Sequence, residues 1–404
     1  MKILIIGSGG REHALAWKLA RAGHQVFGAP GNPGIAQEGQ ILPTTDYLAA
    51  AHSLRPDLTV VGPEGPLVAG IADQFRAAGM RIVGPSPENA QLEGSKIHAK
   101  EFMQRLGIPT ARFFRAESKQ EGIEALKRFE YPVVVKADGL AAGKGVVIAQ
   151  DRAQAESAVR VLGPRLVIEE FLVGEEASFI ALCDGKMALP LEATQDHKAV
   201  CDRDTGPNTG GMGAYCDGRI LTAEQTSAIL DRIVQPVVEA TSFTGFLYAG
   251  LMMTSGAAKV LEFNVRLGDP ETQPLMHRLD CDFGEALLRA ATGDLRGANL
   301  RWKTDPSVCV VLAAAGYPGE PRTGDRIAGI EGCGADVFHA GTRMGPHGLE
   351  TAGGRVLGVT ARGETLRSAI DNVYVAAERI HFGGMHFRRD IGQKGLRRWQ
   401  ETPQ

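Results

Sequence analysis

Short apolar runs alternate with amphipathic stretches through the first hundred residues. Lys2–Ile6, Gln25–Phe27, Leu58–Val61 and Arg81–Val83 read as strands, with one helix from about Glu12 to Ala22 and another ending near Gly79. Unbroken apolar strands separated by helical stretches predict a parallel sheet with helices on both faces. Ser95 fits an N-cap; Ala99, Phe102, Met103 and Leu106 then mark one face of a helix that Gly107 and Pro109 stop. From Glu117 to Leu189 the pattern turns to a βαββ-like segment, with strands at Val133–Lys136, Val146–Ala149, Leu166–Glu169 and Ala177–Leu182. Two long helices follow before Leu300, the first opened by the capping-box pair Thr222 and Gln225, together with strands Leu247–Met253 and Lys259–Val265. A last unit starts near Val308 and ends in a helix with the stripe Leu366, Ile370, Val373, Ala377, Ile380; the charged residues from Arg388 onward are expected to fray. The pattern thus predicts three units: an α/β unit over 1–100, a central unit over 101–305 with 117–189 as a compact subdomain, and a small α/β unit over 306–404.

One strand breaks the usual rule. In LEFNVRLGDPE, residues 261–271, Glu262, Asn264 and Arg266 fall on one face of an extended chain and Leu261, Phe263 and Val265 on the other. Carboxylate plus amide oxygen suits a hard cation such as magnesium, shared with a nucleotide's phosphates. An arginine one step along would meet a transferring phosphoryl group. A solvated strand face is the plain alternative.

Composition changes the picture little. The chain has 404 residues, 23% charged and 44% hydrophobic, with a net charge of −3, an ordinary globular balance. With no long basic run, generic binding to nucleic acid is not expected. The 51 glycines are in excess and cluster in short loops, where backbone turns sharply or approaches ligands. Six cysteines without a CxxC pair read as incidental reduced thiols. MKILIIGSGG enters a strand directly, and no apolar stretch nears 18 residues, so a cytoplasmic protein away from membranes is expected.

Three segments are phosphate-binding candidates. GSGGRE, residues 7–12, follows a strand and opens a helix, but the dinucleotide fingerprint needs glycine where Glu12 stands. Its amides can still hold a phosphate, with Arg11 beside it, or it is simply a strand–helix turn. KADGLAAGKG, residues 136–145, fails as a Walker A loop because Asp138 and Gly145 occupy the positions of glycine and Ser/Thr. What remains is a glycine flap between two strands, with Lys136 on the first strand and Lys144 in the loop, able to close over a triphosphate. IEEFLVGEEASF, residues 168–179, could read an adenine edge through its backbone and a ribose through a carboxylate, though alone it is only an acidic turn.

Taken in order, IGSGGREHAL, APGNPG, PDLTVVGPE, LEGSK, KADGLAAGKGV, QDHK, DTGPNTGGMGAY, LYAGLM, EFNVRLGDPETQP, GYPG, FHAGT and GGRVL resemble the ATP-grasp superfamily, and within it the phosphoribosylamine–glycine ligase family, nearly end to end. The resemblance implies an ATP-grasp fold between an N-terminal parallel-sheet domain and a small C-terminal domain. It implies ligation of glycine to 5-phosphoribosylamine through glycyl phosphate, with ATP as substrate and Mg2+ or Mn2+ as cofactor; another purine-pathway ATP-grasp carboxylate–amine ligase is the alternative. It implies small-molecule partners and a monomer or weak oligomer. By resemblance, Lys96, Lys136, Gly139, Gly143 and Lys144 meet phosphates, Glu169, Glu170, Phe171 and Leu172 form the adenine hinge, and Glu176 holds the ribose. Glu262 and Asn264 resemble metal ligands, with Arg266 and Lys136 catalytic. Gly9, Gly10, Arg11, Glu12, Asn32 and Gly34 resemble the loops that receive the phosphoribosyl group; Asp196, Lys198, Asn208, Gly210, Gly211 and Asp269 belong to the substrate face. The chain departs from the family pattern after QDHK, where Ala199, Cys201 and Arg203 follow, and at Cys216–Gly218, which looks shortened. LYAGLMM also lacks the second carboxylate that many members carry, so two fully protein-held ions are not implied.

Overall fold

The computed structural model describes residues 1–140 and 145–400. The first unit is the expected parallel sheet, in the order Gln40–Ile41, Gln25–Pro30, Lys2–Gly7, Leu58–Val61, Ile82–Val83. Ile3 to Ile6 have no exposed surface, because helices cover both faces of this central strand. Ser95 ends one helix, Pro87–Gly94, and caps the next, Lys96–Leu106, by accepting from the His98 amide; Gly107, at φ 66°, stops it.

A four-stranded antiparallel sheet follows, in the order Phe113–Ala116, Leu166–Glu170, Val133–Ala137, Val146–Ala149. It has its own core of Leu126, Phe129, Val133, Val135, Leu166 and Ile168. The glycine flap is the connection between Val133–Ala137 and Val146–Ala149, as expected, but Gly143 and Lys144 lie outside the described residues.

The strand expected at Ala177–Leu182 does not belong with this small sheet. It is Glu175–Asp184, and it pairs along its whole length with Thr244–Met253 in a nine-stranded sheet. Both its faces are buried, so its apolar pattern carries no sign of which sheet it joins. The same large sheet runs on through Thr194–Asp196, Gly213–Cys216, Ser307–Ala313 and Arg355–Arg362 to Asp336–His339. The strands of the last unit therefore extend the central sheet. The first long helix is Ala223–Thr241 with a wider π turn at Leu230–Val234; the terminal stripe lies on Leu366–Ala377, with Ile380 buried just beyond it.

Over the described residues 388–400 the charged tail does not fray. Arg388 is fully buried, and Gln393–Gln400 forms a helix. A guanidinium can be buried when carboxylates and carbonyls satisfy it, which composition cannot reveal. Among the described residues, no helix is long and apolar enough to cross a membrane, and the six cysteines are free.

Candidate active site

The informative strand is Ala258–Asn264, shifted by one residue toward the N-terminus from the expected Lys259–Val265. Opposite Gly250 and Leu251 its register shifts, so Leu261 bulges out of the alternation. The Leu261 carbonyl, freed from the ladder, accepts from Lys136 Nζ at 3.0 Å. Glu262 and Asn264 keep one partly exposed face while Val260 and Phe263 are buried. Arg266 lies past the strand end, yet its guanidinium reaches back to Asn264 Oδ1 at 3.3 Å.

The residues expected on the nucleotide side gather around buried Glu169. Its Oε1 lies 3.1 Å from both Lys136 Nζ and Lys100 Nζ. Lys100, one helical turn after Lys96, was not singled out from the sequence; burial lowers its pKa to about 8. Lys96 Nζ donates to Gly139 O at 2.8 Å, and Asp138 caps the Lys96 helix through Ser95 and the Ile97 amide, which ties the flap base to the helix. The Glu170 carboxylate is engaged by the Arg112 amide and Lys259, and its backbone N–H donates to Arg112 O at 3.0 Å. Beside the hinge, Ala111, Leu172, Met252 and Leu261 form a small apolar cluster of the kind that flanks a flat base, and Phe171 is exposed.

Glu176 and Glu262 share one lysine. Lys198 Nζ stands 3.5 Å from Glu176 Oε2 and 3.3 Å from Glu262 Oε1. Lys198 above all, helped by Lys136 and Lys96, holds the Glu262 pKa down at about 2 against burial, which would raise it. Burial alone would depress the Lys198 pKa, but Glu262, Glu176 and Asp196 carry it well above the ordinary lysine value. Asp196 is pushed up to about 8 by burial, against Lys198, with Glu271, Glu176 and Glu262 adding to the rise. This corner holds more acid than base and favours an incoming cation.

A single metal fits these donors. Glu262 stays ionised at any ordinary pH, and Asn264 adds an amide oxygen on the same face. Among the described residues no group of three or more His, Cys, Asp or Glu could hold an ion by itself, so phosphate oxygens would complete the shell.

Arg266 is held on every side. Its NH2 lies 2.8 Å from Glu93 Oε1, its Nε 3.3 Å from Glu64 Oε2, and its NH1 3.2 Å from Leu267 O. Glu93 also accepts the Val265 amide at 2.8 Å. Glu64 comes from the first unit, so the arginine sits where the units meet.

Three residues farther along the same loop, Asp269 organises a second cluster. Gln273 donates to its Oδ1 at 2.9 Å and Arg355 NH2 to its Oδ2 at 3.1 Å; Arg355 NH1 also donates to Gly210 O at 2.7 Å. Burial would raise the Asp269 pKa, yet Arg355 and Arg11 hold it below the usual carboxylate value. Gly9 and Gly10 close on this cluster: a Cβ at Gly9 would lie 3.6 Å from Asp269, and one at Gly10 2.7 Å from Gln273 Nε2. Gly211, at φ 114°, leaves no room for a side chain against Pro270.

Several expected contact residues are consumed inside the protein. Glu12 accepts from the Gly9 amide at 2.5 Å and Arg11 Nε at 2.6 Å, filling the space that glycine leaves in a dinucleotide loop. Arg11 NH1 donates to Leu267 O, so its fork braces the loop between Arg266 and Asp269. The Asn32 amide donates to Ser8 O and His339 O and accepts from Ile35 N. Gly34 packs on His13. Asn208 ends the hairpin strand Thr205–Asn208, and Gly210 and Gly211 follow it into the cluster. The sequence reading missed Lys100, Glu64, Glu93, Glu271, Gln273 and Arg355. Most of them stand in quoted segments such as VGPE, LEGSK and GGRVL, but nothing in their spacing reveals partners up to 200 residues away. A cleft of about 950 Å3 between the Gly31–Pro33 loop and residues 326–331 and 342–344 lies apart from the Lys136–Glu262–Arg266 chemistry.

The N domain of phosphoribosylglycinamide synthetase matches residues 1–93, its ATP-grasp (A) domain 94–272 and its C domain 307–394. A phosphoribosylamine–glycine ligase of Xanthomonas axonopodis pv. citri is 49% identical over the full length of both chains. The chain belongs to the phosphoribosylamine–glycine ligase family. The crystal structure of the Thermotoga maritima phosphoribosylamine–glycine ligase superposes with a TM-score of 0.85 at 36% identity, covering 97% of this chain and all of that one. The biotin carboxylase domain of Hydrogenobacter thermophilus 2-oxoglutarate carboxylase, solved with MgADP, shares the fold with a TM-score of 0.72 at 18% identity; 95% of this chain and 91% of that one are covered. Membership of this ATP-grasp family makes the protein a ligase that uses ATP and a divalent metal.

Proposed function

We propose that the protein joins glycine to the amine of 5-phosphoribosylamine in purine biosynthesis, releasing ADP and phosphate. The observation that carries this reading is the loop 264–271. It holds Asn264 and Arg266 at the nucleotide side and Asp269 at the glycine-rich cluster, so the two half-reactions share one rigid segment.

A carboxylate resists attack by an amine because resonance stabilises it. Transfer of the γ-phosphoryl group to a glycine carboxylate oxygen gives glycyl phosphate and ADP. The amine nitrogen then attacks the acyl carbon, the carbon–oxygen bond to phosphate breaks, and the nitrogen loses one proton. Phosphoryl transfer asks the protein mainly for position and charge. Lys136 and Lys96 face the phosphates from the flap side, and Arg266 neutralises charge on the transferring group. The Glu169–Leu172 hinge and Glu176 hold adenosine. Asp196 and Lys198 meet glycine, and Asp269, Arg355 and the Gly9–Gly10 and Gly210–Gly211 backbones meet the phosphoribosyl amine. Mg2+, with Mn2+ as a substitute, would sit on Glu262 and Asn264 and screen the β- and γ-phosphates; the MgADP-bound carboxylase of the same fold supports a metal–nucleotide unit here. Keeping water from the acyl phosphate would prevent its wasteful hydrolysis.

Phosphate release is measured with ATP, glycine and freshly formed phosphoribosylamine, each omitted in turn. Release that needs all three supports the reading. Release without the amine substrate at an undiminished rate, or with bicarbonate or formate in place of glycine, overturns it.

A further inference from the structure

The segment 388–400 plays no part in the chemistry above, yet it grips one element of the substrate face. Among the described residues, the hairpin Ala199–Cys201 and Thr205–Asn208 pairs only with itself and is joined to no larger sheet. Its turn contains two successive non-glycine residues in the left-handed region, Arg203 at φ 58° and Asp204 at φ 54°. Side chains disfavour that conformation, so it persists only where surroundings impose it. The tail imposes it. Arg389 N donates to Asp202 Oδ1 at 2.7 Å, and Arg203 N donates to Asp390 Oδ2 at 2.8 Å. Arg388 NH1 donates to Asp204 Oδ1 at 3.0 Å and to Ala199 O at 3.1 Å, and Lys394 Nζ lies 2.7 Å from Asp204 Oδ2. Each residue of the turn 202–204 is thus bonded to the tail. Arg388 itself is locked by a two-pronged pair with Asp390, both bonds at 2.8 Å.

The grip extends to the nucleotide side. Trp399 packs edge-on against Tyr215, whose hydroxyl donates to Gln195 Oε1 at 2.8 Å. Gln195 Nε2 in turn donates to the carbonyl of Glu176 at 2.6 Å. Arg398 lies 3.2 Å from Glu175. The two ends of the hairpin are Lys198, between Glu176 and Glu262, and the Asn208–Gly211 loop that meets Arg355; Thr209 N and Oγ1 both bond Lys198 O at 2.8 Å.

We propose that residues 388–400 are a clamp that fixes the hairpin 199–208, with Arg388 as a positioning residue for the glycine and amine substrates. This rests on the reading that Lys198 and Asn208–Gly211 face those substrates. The test compares the full-length protein with Arg388→Gln and Lys394→Ala. Kinetics are run with each substrate varied, and trypsin cleavage after Arg203 is followed by fragment mass. A displaced hairpin should raise KM for glycine or phosphoribosylamine about tenfold in Arg388→Gln and a few-fold in Lys394→Ala, with KM for ATP within about twofold. Cleavage after Arg203 should accelerate in the same order. Should Arg388→Gln fail to fold, Lys394→Ala, whose ammonium is partly exposed, carries the same comparison. Unaltered cleavage in a folded variant overturns the clamp. Equal rises in all three KM values, together with a lower Tm, overturn the positioning role in favour of plain scaffolding. Faster cleavage with unchanged substrate KM values also overturns it. In that case Lys198→Met tells the two readings apart: if it too leaves glycine and amine binding untouched, the substrate-face reading has failed.

Discussion

Arg266 is paired with two carboxylates, one of them buried, before any phosphate is bound. Removing it therefore has two separable consequences. Loss of a preorganised charge donor at the transferring phosphoryl should lower kcat by about a hundredfold, or ~3 kcal/mol, with KM for ATP little changed. Loss of the partner leaves Glu93 buried with only the Val265 amide to satisfy it, and breaking such a buried pair costs about 3–5 kcal/mol of stability. We expect Arg266→Met to lower both kcat and Tm, and Arg266→Met/Glu93→Gln to regain Tm without regaining kcat. Recovery of rate along with Tm would show that Arg266 acts only as a structural ion. Glu262 differs, since its neighbours on that face are polar and partly exposed. Glu262→Ala should keep the fold, by circular dichroism and melting, and lose nearly all turnover at ordinary magnesium. A variant that kept most of its activity would remove the metal from this carboxylate. The depressed Glu262 pKa makes its contribution to stability present above its ordinary value near 4.5 and lost as pH falls toward about 2.

Among elements, the four-stranded sheet that carries the flap is the one with a separate core. Leu166 is fully buried there, in a core that among the described residues is separate from the cores of the large sheet. Leu166→Ala should cost about 2–5 kcal/mol, but within that sheet alone. Hydrogen exchange should quicken across residues 113–170 and stay slow in Glu175–Asp184 and Thr244–Met253; KM for ATP should rise while the global melt moves less. Uniform loss of protection would mean that the small sheet and the large sheet open as one. The periodicity that located the strands of this sheet could not assign Glu175–Asp184, because a strand covered on both faces has lost the alternation that would identify its neighbours. The Leu261 bulge was equally silent in sequence. EFN reads as regular alternation, and only pairing with Thr244–Met253 shows the shift that aims the Leu261 carbonyl at Lys136.

At the scale of the molecule, the first and last units meet through buried, neutral histidines. His13 Nδ1 accepts from the His339 amide at 2.8 Å, and burial first, then His339, lowers the His13 pKa to about 3; burial lowers His339 to about 4. In the unfolded chain both bind protons near 6.5, so the unfolded state takes up more protons below that pH. Their stabilising contribution is present above about 6.5 and falls by roughly 1.4 kcal/mol per histidine per pH unit as pH drops toward the folded values. Tm should fall steeply between pH 6.5 and 5, and His339→Gln should flatten that fall; identical pH profiles would remove this interface as the cause. The sequence alone determined the alternating first unit, the capped helices, the strands on either side of the flap and the shared face of Glu262 and Asn264, because these depend on residues within one or two turns of each other. Tertiary structure decided what surrounds them: Glu64 and Glu93 around Arg266, Arg355 on Asp269, and Arg388 beneath the hairpin at Asp204. Ion pairs of this kind join charges up to about 200 residues apart, and one arginine in a sequence looks like any other until folding chooses the carboxylate it will face.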